Sequence, residues 1–241
     1  MKKTICIILL LALSVVFAGS AYFYISEYLQ DKEQLDELES IAQTVEDSKQ
    51  NTDNKYAELY AQNSDFMGWL RIDGTGIDYP VMQSKDDPDF YLKHNFSKEY
   101  SRFGIPYMQA NCNLSSDNII IYGHNIKSKS MFNELTKYKD KDFYTTHKYI
   151  TLDTLDEQRT YEVIAAFKTV ADLDNGFQYY DFVNANTEEE FDAFVAKCKA
   201  LSFYDTGATA EYGDKLLTLS TCEYSQENGR FAVVAKLIEV R

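Results

Sequence analysis

The chain has 241 residues, of which 45% are hydrophobic and 15% aromatic, so it can build one domain with a substantial core. With 10 Gly and 3 Pro it is neither collagen-like nor a Pro-rich disordered chain. A formal charge of −14 repels phosphate backbones and anionic headgroups, which argues against nucleic-acid partners and against a peripheral domain held by anionic lipid.

Met1-Lys2-Lys3 is basic, and the next charge is Glu27. About 20 apolar residues span a bilayer core, so the uncharged run from Thr4 to Ser26 is long enough to cross one. A cleavable signal peptide is the rival reading, because Ala18-Gly19-Ser20-Ala21 offers small residues. Its apolar region would be only about 7–15 residues long, which favours an uncleaved anchor. The basic flank then stays in the cytoplasm and everything after the anchor is extracytoplasmic.

From Glu27 to about Ala61 the chain is charged and free of Gly and Pro, and Leu35, Leu38, Ala42 and Val45 recur at helical spacing. This predicts one or two helices, as a stalk or packed on the domain, ending at the Asn63-Ser64-Asp65 turn. Strands are predicted at 66–72 and 77–82 around the turn Asp73-Gly74-Thr75-Gly76. A short helix is expected from Asp86, carrying Phe90, Tyr91 and Leu92. Further strands are predicted at 105–108 and 118–122, the latter ending at Gly123-His124-Asn125. Ser130 to Tyr138 reads as a helix, and 149–152 and 160–167 read as strands. Thr187 followed by Glu190 is a capping-box signal for a helix to Leu201, with Phe191, Phe194, Val195 and Cys198 on its apolar stripe. The last two strands are 215–222 and 230–238. Many short strands with a few helical insertions predict a mostly β barrel or sandwich.

The four cysteines are Cys6, Cys112, Cys198 and Cys222, with no CxxC pair and no Cys/His cluster of zinc-site spacing. No metal and no cofactor is expected. The three cysteines outside the apolar run cannot all pair within the chain, so at least one thiol is free. Cys198 is expected in the core.

Alternation along the last two strands puts Thr218, Ser220 and Cys222 on one face. If the loop from Glu223 to Gly229 closes symmetrically, Cys222 lies opposite Arg230 and Ser220 opposite Ala232. A one-residue slip would send Arg230 to the other face. A guanidinium beside a thiol favours the thiolate and can donate hydrogen bonds to an oxyanion during acyl transfer. The leaving amine then needs a proton donor. The three histidines are His94, His124 and His147; His124 follows a buried strand, whereas His94 and His147 sit in polar segments and read as surface residues. Taken singly, each candidate also fits a plain structural role: Cys222 as a small core residue, Arg230 as a solvated charge and His124 as a turn residue.

Thr218-Leu219-Ser220-Thr221-Cys222 resembles the TLxTC signature of sortases. Arg230 matches the arginine that opens the next strand in that family, and Tyr122-Gly123-His124-Asn125 resembles its histidine segment. The resemblance runs from about Asp65 to Arg241 and is strongest to class B, whose N-terminal helices and long helix before the cysteine strand match 54–61 and 187–201. It implies an eight-stranded sortase β-barrel with helical insertions. The domains would be a cytoplasmic tail at 1–3, a transmembrane signal anchor at 4–26, a helical stalk at 27–64 and a catalytic domain at 65–241. It further implies a Gram-positive cell and a cysteine transpeptidase. Cys222 would be the nucleophile, Arg230 would stabilise the oxyanion and His124 would serve as general acid and base. The partners implied are surface proteins with a C-terminal sorting signal, NPQTN-like or LPxTG-like, and a peptidoglycan amine. Leu92, Tyr122, Ser220 and Glu223 match substrate-groove positions. Relatives often have Asp-Asn before the Tyr-Leu segment; Pro88 stands here in place of the asparagine.

Two other functions remain compatible with the residues. A cell-wall cysteine hydrolase would release the thioacyl intermediate to water, although papain-like enzymes place Cys before His, at a helix start. A non-catalytic anchored binding module would use the acidic, Tyr-rich surface and would tolerate loss of Cys222.

Overall fold

The computed structural model describes residues 2–48, 56–126, 130–172 and 176–241. Met1 and the expected helix start at Asn54 lie outside them. A single helix, α1, runs Lys2–Ser48 without a break through the apolar run and the first part of the charged segment. Ile5, Leu11, Val16, Phe17 and Phe23 are all exposed on it, so the helix is apolar around its circumference. It is long and apolar enough to cross a membrane. The chain forms two compact units, one up to Ile41 and one from Ala42 onward. The second unit contains the barrel and everything described below.

A short helix, α2 (Ala57–Gln62), precedes β1 (Phe66–Arg71) and β2 (Asp78–Met82). Then come β3 (Tyr107–Met108), β4 (Asn118–Tyr122), α3 (Lys141–Thr146), β5 (Tyr149–Asp153) and β6 (Gln158–Val170). The chain ends with α4 (Glu188–Leu201), β7 (Leu216–Cys222) and β8 (Gly229–Val240). The eight strands close into a barrel in the order β1-β2-β3-β4-β7-β8-β6-β5. Closure leaves no unpaired sheet edge.

Two pairs, β2·β3 and β4·β7, are parallel, and the others are antiparallel. The parallel pair β4·β7 explains the sequence of both strands. Strands covered on both faces read as near-continuous apolar runs. Ile119, Ile120 and Ile121 are buried in succession, as are Leu216, Leu217, Thr218 and Leu219. The buried pair of Thr218 and Asn118 is satisfied: the Thr218 hydroxyl donates to Asn118 Oδ1 at 2.8 Å, and Asn118 Nδ2 donates to the Phe182 carbonyl at 2.9 Å.

Helix α4 starts where Thr187 and Glu190 predict. The Thr187 hydroxyl accepts from the Glu190 N–H at 3.3 Å, while the Glu190 carboxylate reaches the Asn186 N–H at 2.8 Å, one residue before the usual reciprocal partner. Its stripe of Phe191, Phe194, Val195 and Cys198 packs with Phe167, Tyr179, Leu216 and Val234, so Cys198 is core as expected.

Three local expectations are refined. Ser130–Tyr138 is not an α-helix: Met131 has a positive φ of 54°, and 3₁₀ turns run Asn133–Lys139. The short helix expected after Asp86 forms over Phe90–Leu92, as one 3₁₀ turn with Asp89 at its N-cap position. The strand expected at 160–167 is β6, which runs longer, from Gln158 to Val170, with register shifts at Thr160/Tyr161 and Val163/Ala165.

Candidate functional site

Sequence register alone sets the first half of the site. In the β7·β8 hairpin Cys222 pairs with Arg230 and Ser220 with Ala232, as the symmetric loop predicts. The Glu223 N–H donates to the Gly229 carbonyl at 2.9 Å. Antiparallel pairs alternate between bonded and non-bonded, so Cys222 and Arg230 form a narrow non-bonded pair, in which side chains lie closest. Gly229 is required here, since a Cβ would stand 2.2 Å from the Glu223 carbonyl oxygen. Arg230 Nη1 donates to the carbonyls of Asn228 and Gly229 at 3.3 and 3.1 Å. Both bonds use Nη1, which leaves the Nε and Nη2 donors of the fork for a developing oxyanion.

The parallel ladder supplies the other half. Tyr122 pairs with Ser220, so Gly123-His124 leave β4 alongside Thr221-Cys222 leaving β7. The Gly123 N–H donates to the Ser220 carbonyl at 3.1 Å, and the Thr221 hydroxyl donates to the Gly123 carbonyl at 2.7 Å. A Cβ on Gly123 would lie 2.6 Å from the Phe132 ring, so only glycine lets the strand exit over that ring. The half-buried His124 ring bonds the Leu92 carbonyl through Nε2 at 2.8 Å. A carbonyl only accepts, so Nε2 carries the hydrogen, and Nδ1 is left to take and give a proton.

Cys222, His124 and Arg230 line one cleft of about 580 Å³, together with Leu92, Tyr122 and Ser220. A larger cleft of about 730 Å³, with Asp65, Gln83, Asp86 and Asp156 in its wall, has no thiol or imidazole among its lining residues. Chemistry, not size, selects the smaller one.

Glu223 stands apart from the other groove candidates. It is not among the residues lining the cleft; Lys168 Nζ pairs with its Oε1 at 2.9 Å, and the Ser225 hydroxyl donates to its Oε2 at 2.5 Å. Burial alone would raise this carboxyl, but Ser225 and Lys168 outweigh burial and hold it below the usual carboxylate range. His94 and His147 also lie outside the cleft. Neither is a plain surface residue: each is half-buried and stacks on the aromatic ring four positions earlier, Phe90 at 3.8 Å and Phe143 at 3.9 Å.

The cleft wall includes residues that sequence reasoning missed. Tyr179 shares a hydrogen bond with the Ser220 hydroxyl, and the Tyr122 hydroxyl donates to Gln109 Oε1. The Tyr107 hydroxyl donates to Asp89 at 3.3 Å. Burial pushes the Tyr179 phenol up to about 12, against the opposing pull of its Ser220 bond and the Arg230 charge. Burial and then the Asp89 carboxylate push Tyr107 up, and burial pushes Tyr122 up. These phenols therefore stay neutral donors at working pH. The aromatic run Phe177-Gln178-Tyr179-Tyr180 inside a polar loop was the available signal. Pro88, which stands where relatives often have an asparagine, also lines the cleft, as does Asp89.

Cys112, Cys198 and Cys222 are all free thiols. Burial pushes the thiols of Cys112 and Cys198 up, so neither supplies an accessible nucleophile. Among the described residues no group of three or more His, Cys, Asp or Glu side chains is arranged to hold a metal ion.

Comparison with known proteins places the chain in a family. Residues 70–238 match the family model described as the sortase domain. The chain is 37% identical to sortase B of Listeria monocytogenes over 75% of this chain and 73% of that one. It is 31% identical to sortase B of Staphylococcus aureus over 98% and 97% of the two chains. The structure is similar to a Staphylococcus aureus sortase B–substrate complex, with a TM-score of 0.79 and 29% identity over 88% of this chain and 99% of that one. A Clostridium perfringens sortase B structure matches with a TM-score of 0.68 and 32% identity over 76% and 98%.

Proposed function

The chain belongs to the sortase family, in its class B branch, and from that premise we propose how its residues divide the work of a cysteine transpeptidase that sorts proteins to the cell wall. Cys222 is the nucleophile. Its thiolate attacks the carbonyl carbon of the threonine in a sorting signal, forming a C–S bond and an oxyanion. Arg230 donates hydrogen bonds to that oxyanion through Nε and Nη2. As the intermediate collapses, the C–N bond after threonine breaks and His124 gives the leaving nitrogen its proton. The product is a thioacyl-enzyme. An incoming amine then attacks the thioester and passes a proton to His124 Nδ1. Cys222 departs as thiolate, and a new amide joins the sorted protein to the acceptor.

The observation that carries this reading is the narrow pairing of Cys222 with Arg230 beside the His124 strand end, in one cleft. Leu92, Tyr122 and Ser220 hold the signal, and Glu223, tied to Lys168 and Ser225, shapes the β7–β8 loop beside it. Solved relatives include a sortase B–substrate complex and a sortase B complexed with triglycine. By likeness, this chain takes an NPQTN-like or LPxTG-like donor and a peptidoglycan amine. The apolar part of α1 anchors the chain in the membrane with its N-terminus inside and the barrel outside.

The test is cleavage of a panel of quenched sorting-signal peptides by the full chain in detergent, with and without an added amine. Cleavage after threonine with an amine adduct, lost in Cys222→Ala, supports the reading. Cleavage giving only the free acid points to the hydrolase. No cleavage of any peptide counts against both enzyme readings.

A further inference from the structure

Beyond their last ladder pair, Tyr122 with Ser220, β4 and β7 are joined by side chains. A parallel ladder continuing from the Gly123 N–H to the Ser220 carbonyl would next bond the Gly123 carbonyl and then the Cys222 carbonyl with main-chain N–H donors. Two side chains reach those same carbonyls. The Thr221 hydroxyl donates to the Gly123 carbonyl at 2.7 Å, and Asn125 Nδ2 donates to the Cys222 carbonyl at 2.9 Å.

The Asn125 amide is fixed from both ends. A carbonyl only accepts, so the atom facing Cys222 is the nitrogen. Oδ1 then points away and accepts from Asn133 Nδ2 at 2.7 Å. The main-chain carbonyl of Asn125 accepts from the Tyr224 hydroxyl at 3.0 Å. One residue earlier, the His124 carbonyl accepts from the Phe132 N–H at 2.8 Å. Asn125 thus bonds directly to the residue that carries the thiol and is chain-adjacent to the residue that carries the imidazole.

We propose that Asn125 is a positioning residue for transpeptidation: its side-chain amide locks the strand end bearing His124 to the strand end bearing Cys222, with Asn133 holding that amide in place. The proposal rests on Cys222 as nucleophile and His124 as proton carrier. Asn125 itself touches no reacting atom. Its effect is on the proton path between imidazole and the bond being made or broken, where a misplacement of about 1 Å costs on the order of 100-fold.

The experiment measures kcat and KM for amine-dependent peptide cleavage by the full chain in detergent, with thermal melting recorded beside each variant. Asn125→Ala removes both bonds. Asn125→Asp keeps the size but sets an oxygen against the Cys222 carbonyl. Both are expected to lower kcat by about 10- to 100-fold with KM within about threefold, the pattern of an interaction needed only in the transition state. Asn125→Gln, which keeps the donor on a longer arm, recovers part of the loss. Asn133→Ala gives a smaller loss, and the double variant is no worse than Asn125→Ala, because both act through one contact chain.

A kcat within about threefold of the unsubstituted chain in both Asn125→Ala and Asn125→Asp overturns the proposal. So does a loss confined to KM, or one that follows the fraction unfolded. If Asn125→Ala does not fold, Asn125→Asp and Asn133→Ala decide by the same criteria. If the unsubstituted chain shows no Cys222-dependent cleavage, the functional reading fails and the positioning role falls with it. Cys222-dependent cleavage that Asn125 variants leave untouched refutes the positioning role alone.

Discussion

Arg230 gives the sharpest test of how the site works. Its Nη1 is committed to the Asn228 and Gly229 carbonyls, so in the proposed mechanism oxyanion stabilisation falls to Nε and Nη2. Arg230→Lys keeps the charge but replaces a planar fork with one compact head. A lysine that holds both loop carbonyls cannot also present two parallel donors to the oxyanion. Losing one such donor costs about 10²–10³ in kcat, or roughly 2.7–4 kcal/mol of transition-state stabilisation. The lysine variant should therefore lose about 100-fold, and Arg230→Ala, which removes charge and donors, about 1000-fold or more. KM should change little, because the ground-state carbonyl carries no charge for the guanidinium to meet. Burst-phase acylation of a quenched signal peptide separates the acylation rate from later steps, and a melting curve excludes unfolding. Should Arg230→Ala acylate within about tenfold of the unsubstituted chain, the guanidinium is not the oxyanion donor. Should Arg230→Lys match the parent, charge alone suffices and the argument from fork geometry is wrong.

Other consequences follow from the same packing and register. Of Cys112, Cys198 and Cys222, iodoacetamide should modify only Cys222 in the folded chain, read by peptide mass; fast modification of either buried thiol would contradict the packing. Gly123→Ala should lose about 1–3 kcal/mol and most activity, because its Cβ would stand 2.6 Å from the Phe132 ring; Phe132→Ala in the same chain should relieve the clash but open a cavity, so only part of the stability returns. Glu223 is held below the usual carboxylate range, so its stabilising contribution is present above its unfolded value and is lost as pH falls through the folded one. The melting temperature of Glu223→Gln should thus lie below that of the parent at neutral pH, with the gap closing in acid. A gap that does not depend on pH would mean the Lys168 pairing contributes nothing.

The hairpin that carries Cys222 and Arg230 was legible because it is local: alternation and a short loop fix its register. The parallel pairing of β4 with β7 was not, since Thr221 and Gly123 are 98 residues apart and no pattern in either strand names its partner. His124 could be singled out as the histidine at a buried strand end, but its neighbourhood with Cys222 came from the resemblance and is now explained by the ladder. The pairing of Glu223 with Lys168 was not legible, because Lys168 arrives on β6, where it pairs with Phe231 of β8. Gln109 comes from an irregular segment and Tyr179 from a single 3₁₀ turn, Tyr179–Asp181, too short for periodicity to show direction.

Placing the thiol and the imidazole on different strands makes ladder register equivalent to catalytic geometry. A one-residue slip of β7 against β4 would turn Cys222 to the opposite face and carry Arg230 with it through the hairpin. Ile119, Ile120 and Ile121 on β4 are buried in succession, as are Leu216, Leu217 and Leu219 around Thr218 on β7, so apolar content does not mark one face of either strand. Polar partners add the positional information. Thr218, opposite Ile120, bonds the buried Asn118 at the start of the ladder, and slipping would leave the Thr218 hydroxyl and Asn118 Oδ1 without each other, at about 1–3 kcal/mol for each buried group left unpaired. Thr221 to Gly123 adds a second pin at the strand ends. Buried polar contacts therefore favour the observed register, and that register brings the three candidate residues into the same cleft.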